Sequence, residues 1–261
     1  MWNVVRSEWT KLSRPGMLLG GAGALVAFGA LAVSLVFGLA SDEPTGMGQQ
    51  SSIATLEGPD GLVASVAFAT QILGAISLVL FARSVTNEYQ HATLPVLLSR
   101  EPSRTRLLGG KLVAMCAFVA TAMLVAGIVM LGAASLVAAS RGIDTASWWT
   151  REGVSAMSWG LLRLVAATLV WGLFGFALGT VFRSGAVAIG AGIGVLAVGG
   201  HLLEAFWADA GQWWPSLVMA GFTLGGTEAL TLAAAGALMG MYAVVLSLGS
   251  WFAFTRGGAA A

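Results

Sequence analysis

Six stretches of nearly unbroken apolar residues, separated by segments in which charge and proline collect, set the pattern of this chain. They lie near residues 16–40, 61–82, 112–140, 159–182, 186–203 and 229–255. Each is at or above the roughly 18 to 20 residues that carry a helix across about 30 Å of hydrocarbon. The pattern predicts an all-α integral membrane protein with six transmembrane helices in one domain spanning residues 1–261. Ahead of the first run, residues 1–14 place Trp2, Val5, Trp9 and Leu12 close to one helical face, with Asn3, Arg6, Glu8 and Lys11 elsewhere. That arrangement predicts an amphipathic helix lying in the membrane interface. Between the last two runs, Pro215 to Leu224 is apolar but shorter than a span, so it reads either as a re-entrant or interfacial segment or as a surface loop.

Composition agrees with the pattern. The chain is 57% hydrophobic and 10% charged, against a charged share of about 25% in soluble domains. The net charge of +1 conceals a sorting by side. With both termini in the cytoplasm, ten of the thirteen basic residues face the cytoplasm and only Arg141, Arg151 and Arg163 lie at the outer side. This is the bias that sets orientation, and it predicts a multi-pass protein of the cell membrane. Nothing in the charge pattern points to nucleic acid.

Chemistry within the chain is sparse. One cysteine, Cys116, excludes an internal disulfide, and two histidines, His91 and His201, fall on opposite sides of the predicted topology. No catalytic residue, metal site or cofactor site is expected. Gly109-Gly110-Lys111-Leu112 lacks the Ser or Thr that a phosphate-binding loop needs after its lysine. Within the spans, Gln71 and Arg163 are the candidates for lining a translocation path, although helix contact for the amide and snorkelling for the arginine are the more ordinary uses. The six runs hold no acid, which disfavours ion-coupled transport. Pairs of glycines four apart, such as Gly175 with Gly179, indicate close helix packing without locating it.

The most charged segment is the loop 83–111. Thr86 or Asn87 is expected to cap a short helix beginning at Glu88, with Leu94, Val96, Leu97 and Leu98 as an apolar surface, and Pro102 with Ser103 to open a second turn toward Arg104. An exposed apolar helix of this kind docks into a groove on another protein or lies flat on lipid.

Asn87-Glu88-Tyr89-Gln90-His91-Ala92-Thr93-Leu94, followed by Pro102-Ser103-Arg104 and Gly110-Lys111, resembles the loop after the second span in permease subunits of type-2 ATP-binding-cassette transporters. Ala92 stands where that family usually has Gly. Arg6-Ser7-Glu8-Trp9-Thr10-Lys11-Leu12 is similar to the elbow helix of bacterial members. The resemblance implies an elbow helix at 1–14 and a short cytoplasmic coupling helix within 83–111, with Glu88, Tyr89, Thr93, Pro102 and Arg104 coupling the permease to its ATPase. It further implies two copies of a separate ATPase subunit carrying ATP and Mg, a second permease subunit, identical or related, and passage of substrate between the paired permeases. Export is expected rather than import, since nothing in the sequence resembles a docking surface for a solute receptor. The alternative is a membrane anchor or scaffold that moves nothing itself.

Overall fold

The computed structural model describes residues 2–41, 52–91, 93, 97, 99, 101, 103–195 and 212–256. Among these the secondary structure is helical, apart from two isolated bridges, Ser41 with Ser52 and Gly226 with Thr231. Helix α1 covers Trp2–Leu12, and α2 runs Pro15–Leu39, opening on a proline already set for a first helical turn. A single π-helical turn, Leu18–Ala22, interrupts α2 near its start. A short α3, Ile53–Glu57, precedes α4, Gly61–Gln90. Then come α5, Arg104–Arg141, and α6, Arg151–Phe182. Two short helices follow, α7 at Gly185–Ile193 and α8 at Pro215–Leu224, before α9 at Leu232–Arg256.

Five of these helices, α2, α4, α5, α6 and α9, are long and apolar enough to cross a membrane. The fold is therefore that of a multi-pass membrane protein. Helix α4 is its centre, with 56% of its apolar window buried, whereas α9 has 11% buried and lies at the edge. The fifth apolar run, 186–203, coincides with α7 only in its first half, and its remainder from 196 lies outside the described residues.

The tightest seam is between α4 and α6. A Cβ on Gly175 would stand 2.0 Å from the Leu78 carbonyl oxygen, and one on Gly74 would stand 2.4 Å from the Trp171 ring. Gly172 faces Phe81 in the same way, at 2.7 Å. Absent side chains let the two backbones approach, which is how helices associate where lipid is as apolar as leucine. The Gly175 and Gly179 pair thus has a location: the α4 face of α6.

Helices α7 and α8 follow that seam in sequence. Gly185 starts α7 beside Thr86 of α4, and Gly192 faces Leu78 farther along. The Trp214 indole, at the start of α8, donates to the Val195 carbonyl at 3.2 Å. At its other end α8 turns at Gly225, φ +94, directly beneath the Arg163 guanidinium of α6. Nine and ten residues of helix amount to about 28 Å at 1.5 Å per residue. The apolar segment Pro215–Leu224 is thus a helix, and it buries Val218 and Met219 against the bundle. It is not a surface loop.

At the end of the bundle away from α1, Arg141 holds the last turn of α2. Its guanidinium donates to the carbonyls of Phe37 at 3.4 Å, Gly38, and Ala40 at 3.0 Å. These are acceptors that a helix C-terminus leaves free, and a cation complements the dipole there. Trp148 closes the same end, donating to Leu56 at 2.9 Å and meeting Phe37 edge-on at 5.4 Å.

Candidate functional site: a buried ion cluster and the connection it holds

Chain segments 2–14, 83–91 and 104–111 meet at one end of the bundle. The second apolar run ends at 82, yet α4 continues through Arg83, Ser84, Thr86 and Asn87 to Gln90. Likewise α5 begins at Arg104, well before the apolar run at 112, with the Ser103 hydroxyl accepting from the Arg106 amide as its N-cap. The expected loop 83–111 is thereby reduced to a connection of residues 91–103. The short helix expected to begin at Glu88 is also corrected: Glu88 lies in the last turn of α4, at the helix end where the dipole disfavours an acid.

Glu88 is placed there by lysines. Lys111 of α5 is 4% exposed, and its ammonium lies 2.7 Å from the Glu88 carboxylate and 2.8 Å from that of Glu8 in α1. It also donates to the Ser84 carbonyl at 3.1 Å. Lys11 pairs with Glu8 and stands 3.7 Å from Glu88. Two carboxylates and two ammoniums form a neutral cluster joining α1, α4 and α5. Burial by itself pushes the Glu8 carboxyl upward, but Lys111 and Lys11 outweigh it and hold Glu8 below its ordinary 4.5.

The cluster also corrects the expected face of α1. Its buried positions are Val4, Glu8 and Leu12, one turn apart, while Trp2 is 77% exposed and Trp9 41%. Attraction to Lys111 turns the Glu8 side inward and leaves both indoles on the outer surface. An acid at the middle of a Val4–Leu12 stripe was the sequence signal for an inward charge; its partner, 103 positions away, had none.

The other predicted coupling residues are distributed around this cluster. Tyr89 is half-buried beneath the Arg183 guanidinium, 5.5 Å from its ring centre. Thr93 is exposed, and its amide donates to the Glu88 carbonyl at 3.1 Å, closing the end of α4. Leu97 and Ser99 are helical, and Leu97 packs on the core. Arg104 donates to the Phe254 carbonyl of α9 at 3.3 Å, with Trp251 bonded to Thr105 alongside at 3.1 Å. Pro102 lies outside the described residues, as do Leu94, Val96 and Leu98.

The two path candidates are not brought together. Gln71 is half-buried on α4, next to Thr70 and near Ser77, two buried hydroxyls without a partner among the described residues. Arg163 donates to the Trp159 carbonyl at 3.2 Å and covers the Gly225 turn. Its surroundings give it a structural use at the end of α8.

Beside the ion cluster opens a groove of about 1060 Å³ between α2 and α4. Its polar end holds Lys11, Arg83 and His91, and its apolar length runs past Gly20, Ala24, Ala75 and Ile76.

Fold and site together define a helical multi-pass membrane protein whose α1, α4 and α5 are locked by buried ion pairs beside a deep groove. A model for a family described as protein of unknown function, DUF2705, matches residues 47–257, and the chain belongs to that family. No curated protein matches it.

Proposed function

We propose that this protein is the permease subunit of a type-2 ATP-binding-cassette exporter, worked by two copies of a separate ATPase and paired with a second permease subunit. The observation that carries the reading is the Lys111 hub. The connection 91–103 is bounded by α4 and α5, and Lys111 ties both of these helices to α1 through Glu88 and Glu8. Arg104 adds a tie to the last turn of α9. A push on this short connection is therefore transmitted to four helices at once, which is what a lever between an ATPase and a membrane bundle requires.

In this reading the connection faces the cytoplasm with both termini, the protein sits in the cell membrane, α1 is the elbow helix, and α7 with α8 supplies the sixth crossing. ATP and Mg belong to the partner, and the chain itself is not an enzyme. Thr93, exposed beside the end of α4, is the described coupling residue best placed to touch the partner. Glu88, with its carboxylate turned to Lys111, acts by holding the lever to the spans. Purifying the full chain from its native membrane tests the reading. A nucleotide-hydrolysing companion in stoichiometric amount is the expected result. A chain that returns with other membrane proteins and no such companion favours the anchor or scaffold instead.

A further inference from the structure

We infer that the groove between α2 and α4 is a binding site for an anionic membrane amphiphile, a phospholipid whose phosphate meets Arg83 and whose acyl chain lies along α4. The inference is separate from the ATPase reading and stands or falls without it.

Three features carry it. The first is size and shape: about 1060 Å³ slightly exceeds the roughly 300–1,000 Å³ range of small-molecule sites. From Arg83, where the phosphate sits, to Ala75 the groove follows eight residues of α4, about 12 Å at 1.5 Å each, which fits within the roughly 15 Å depth of one leaflet's hydrocarbon. The second is polarity, which is split along this length. The deep part is lined by Met17, Gly20, Ala24, Ala75, Ile76 and Leu80, while charge is confined to the end beside the ion cluster.

The third is the sign of that charge. Lys11 and Lys111 are matched by Glu8 and Glu88, which leaves Arg83 as the surplus cation lining the groove. Arg83 is exposed and has no ion pair among the described residues. A guanidinium with free donors at the headgroup level is a phosphate site, because its planar fork bonds two oxygens at once.

The wall opposite α4 is built to stay open. Gly16 and Gly20 line it, and a Cβ on either would meet nothing within 4 Å. Gly21, one residue on, approaches Leu80 closely, 3.1 Å from where its Cβ would stand. The π turn Leu18–Ala22 supports this arrangement, since an extra residue in one turn shifts which side chains face α4.

Native mass spectrometry of the detergent-purified full chain, titrated with phosphatidylglycerol and with phosphatidylcholine of identical acyl chains, tests the site. The wild type is expected to retain phosphatidylglycerol about fivefold more tightly, the effect of one cation at an anionic headgroup. Arg83→Gln is expected to erase that preference. Gly20→Phe, which fills the groove without a backbone clash, is expected to remove retention of both lipids, and Gly132→Phe, at another open glycine outside the groove, to leave it unchanged. Equal retention of the two lipids by the wild type overturns the inference, as does a preference that survives Arg83→Gln or equal retention by the two Phe variants. Efficient disulfide dimerisation of Gly20→Cys in a Cys116→Ser background also overturns it, because a second copy of the chain then covers the groove.

Discussion

Lys111 and Glu8, 103 positions apart, are joined at 2.8 Å with both side chains almost fully buried. One lysine thereby fixes α1 to the body of the bundle. Buried pairs add little net stability when whole, but removing one member leaves a charge without compensation and costs about 3–5 kcal/mol. Lys111→Met is expected to lose about that much, because two carboxylates then face each other across Lys11 alone. Adding Glu8→Gln and Glu88→Gln to Lys111→Met is expected to restore most of the loss. Denaturant unfolding in mixed micelles measures both, and a Lys111→Met protein as stable as the wild type would show the cluster to be inert.

The attachment of α1 is expected to depend on acid. Glu8 is held below its ordinary 4.5 in the folded protein, so its contribution is complete above about pH 4.5 and is lost as pH falls through the lower folded value. A nitroxide on Ser7→Cys, in a Cys116→Ser background, is expected to stay immobile from about pH 7 down to 4.5 and to loosen only at more acid pH, as Glu8 is protonated. Glu8→Gln is expected to flatten that profile. Mobility that instead rises toward alkaline pH would contradict the assignment.

The α4–α6 seam predicts a contrast between glycines. Even an alanine Cβ at Gly175 falls 2.0 Å from a backbone carbonyl, whereas Gly240 of α9 has open space around it. Gly175→Ala is expected to cost at least about 1–3 kcal/mol through backbone displacement, and Gly240→Ala to cost nothing measurable. Thermal aggregation of the two purified variants reports the difference; equal midpoints would refute the seam.

Arg141 offers a smaller effect at the opposite end. Arg141→Ala frees the carbonyls of Phe37, Gly38 and Ala40 together and is expected to cost about 1–3 kcal/mol. Hydrogen exchange in the last turn of α2 is expected to quicken, with α4 unaffected. Faster exchange spread over the whole bundle would mean that Arg141 holds more than a helix end.

The class of fold was legible because apolar runs leave a membrane protein little choice, and the first and last spans agree with the observed helices to within a few residues. Helix ends were not legible near charge. Arg83, Ser84 and Asn87 read as loop by hydropathy, but they continue α4 because Val85, Thr86 and Glu88 on its other side are buried. In α1 the two tryptophans dominated the apparent face, while the buried face was decided by a lysine in a distant helix. Gln71 and Arg163 stood out as polar residues in apolar runs, a signal that marks a path and a helix-end contact alike. The groove left no mark in the sequence beyond glycines that also occur at packed seams.

The central claim is that the connection 91–103 transmits the work of ATP hydrolysis to the bundle. Its most direct measure is the transport-coupled ATPase rate of the reconstituted complex carrying Glu88→Gln and Arg104→Gln, compared with wild type at equal membrane insertion. The account predicts a severe loss of coupled turnover with the complex still assembled. A double variant that couples as well as wild type would contradict it.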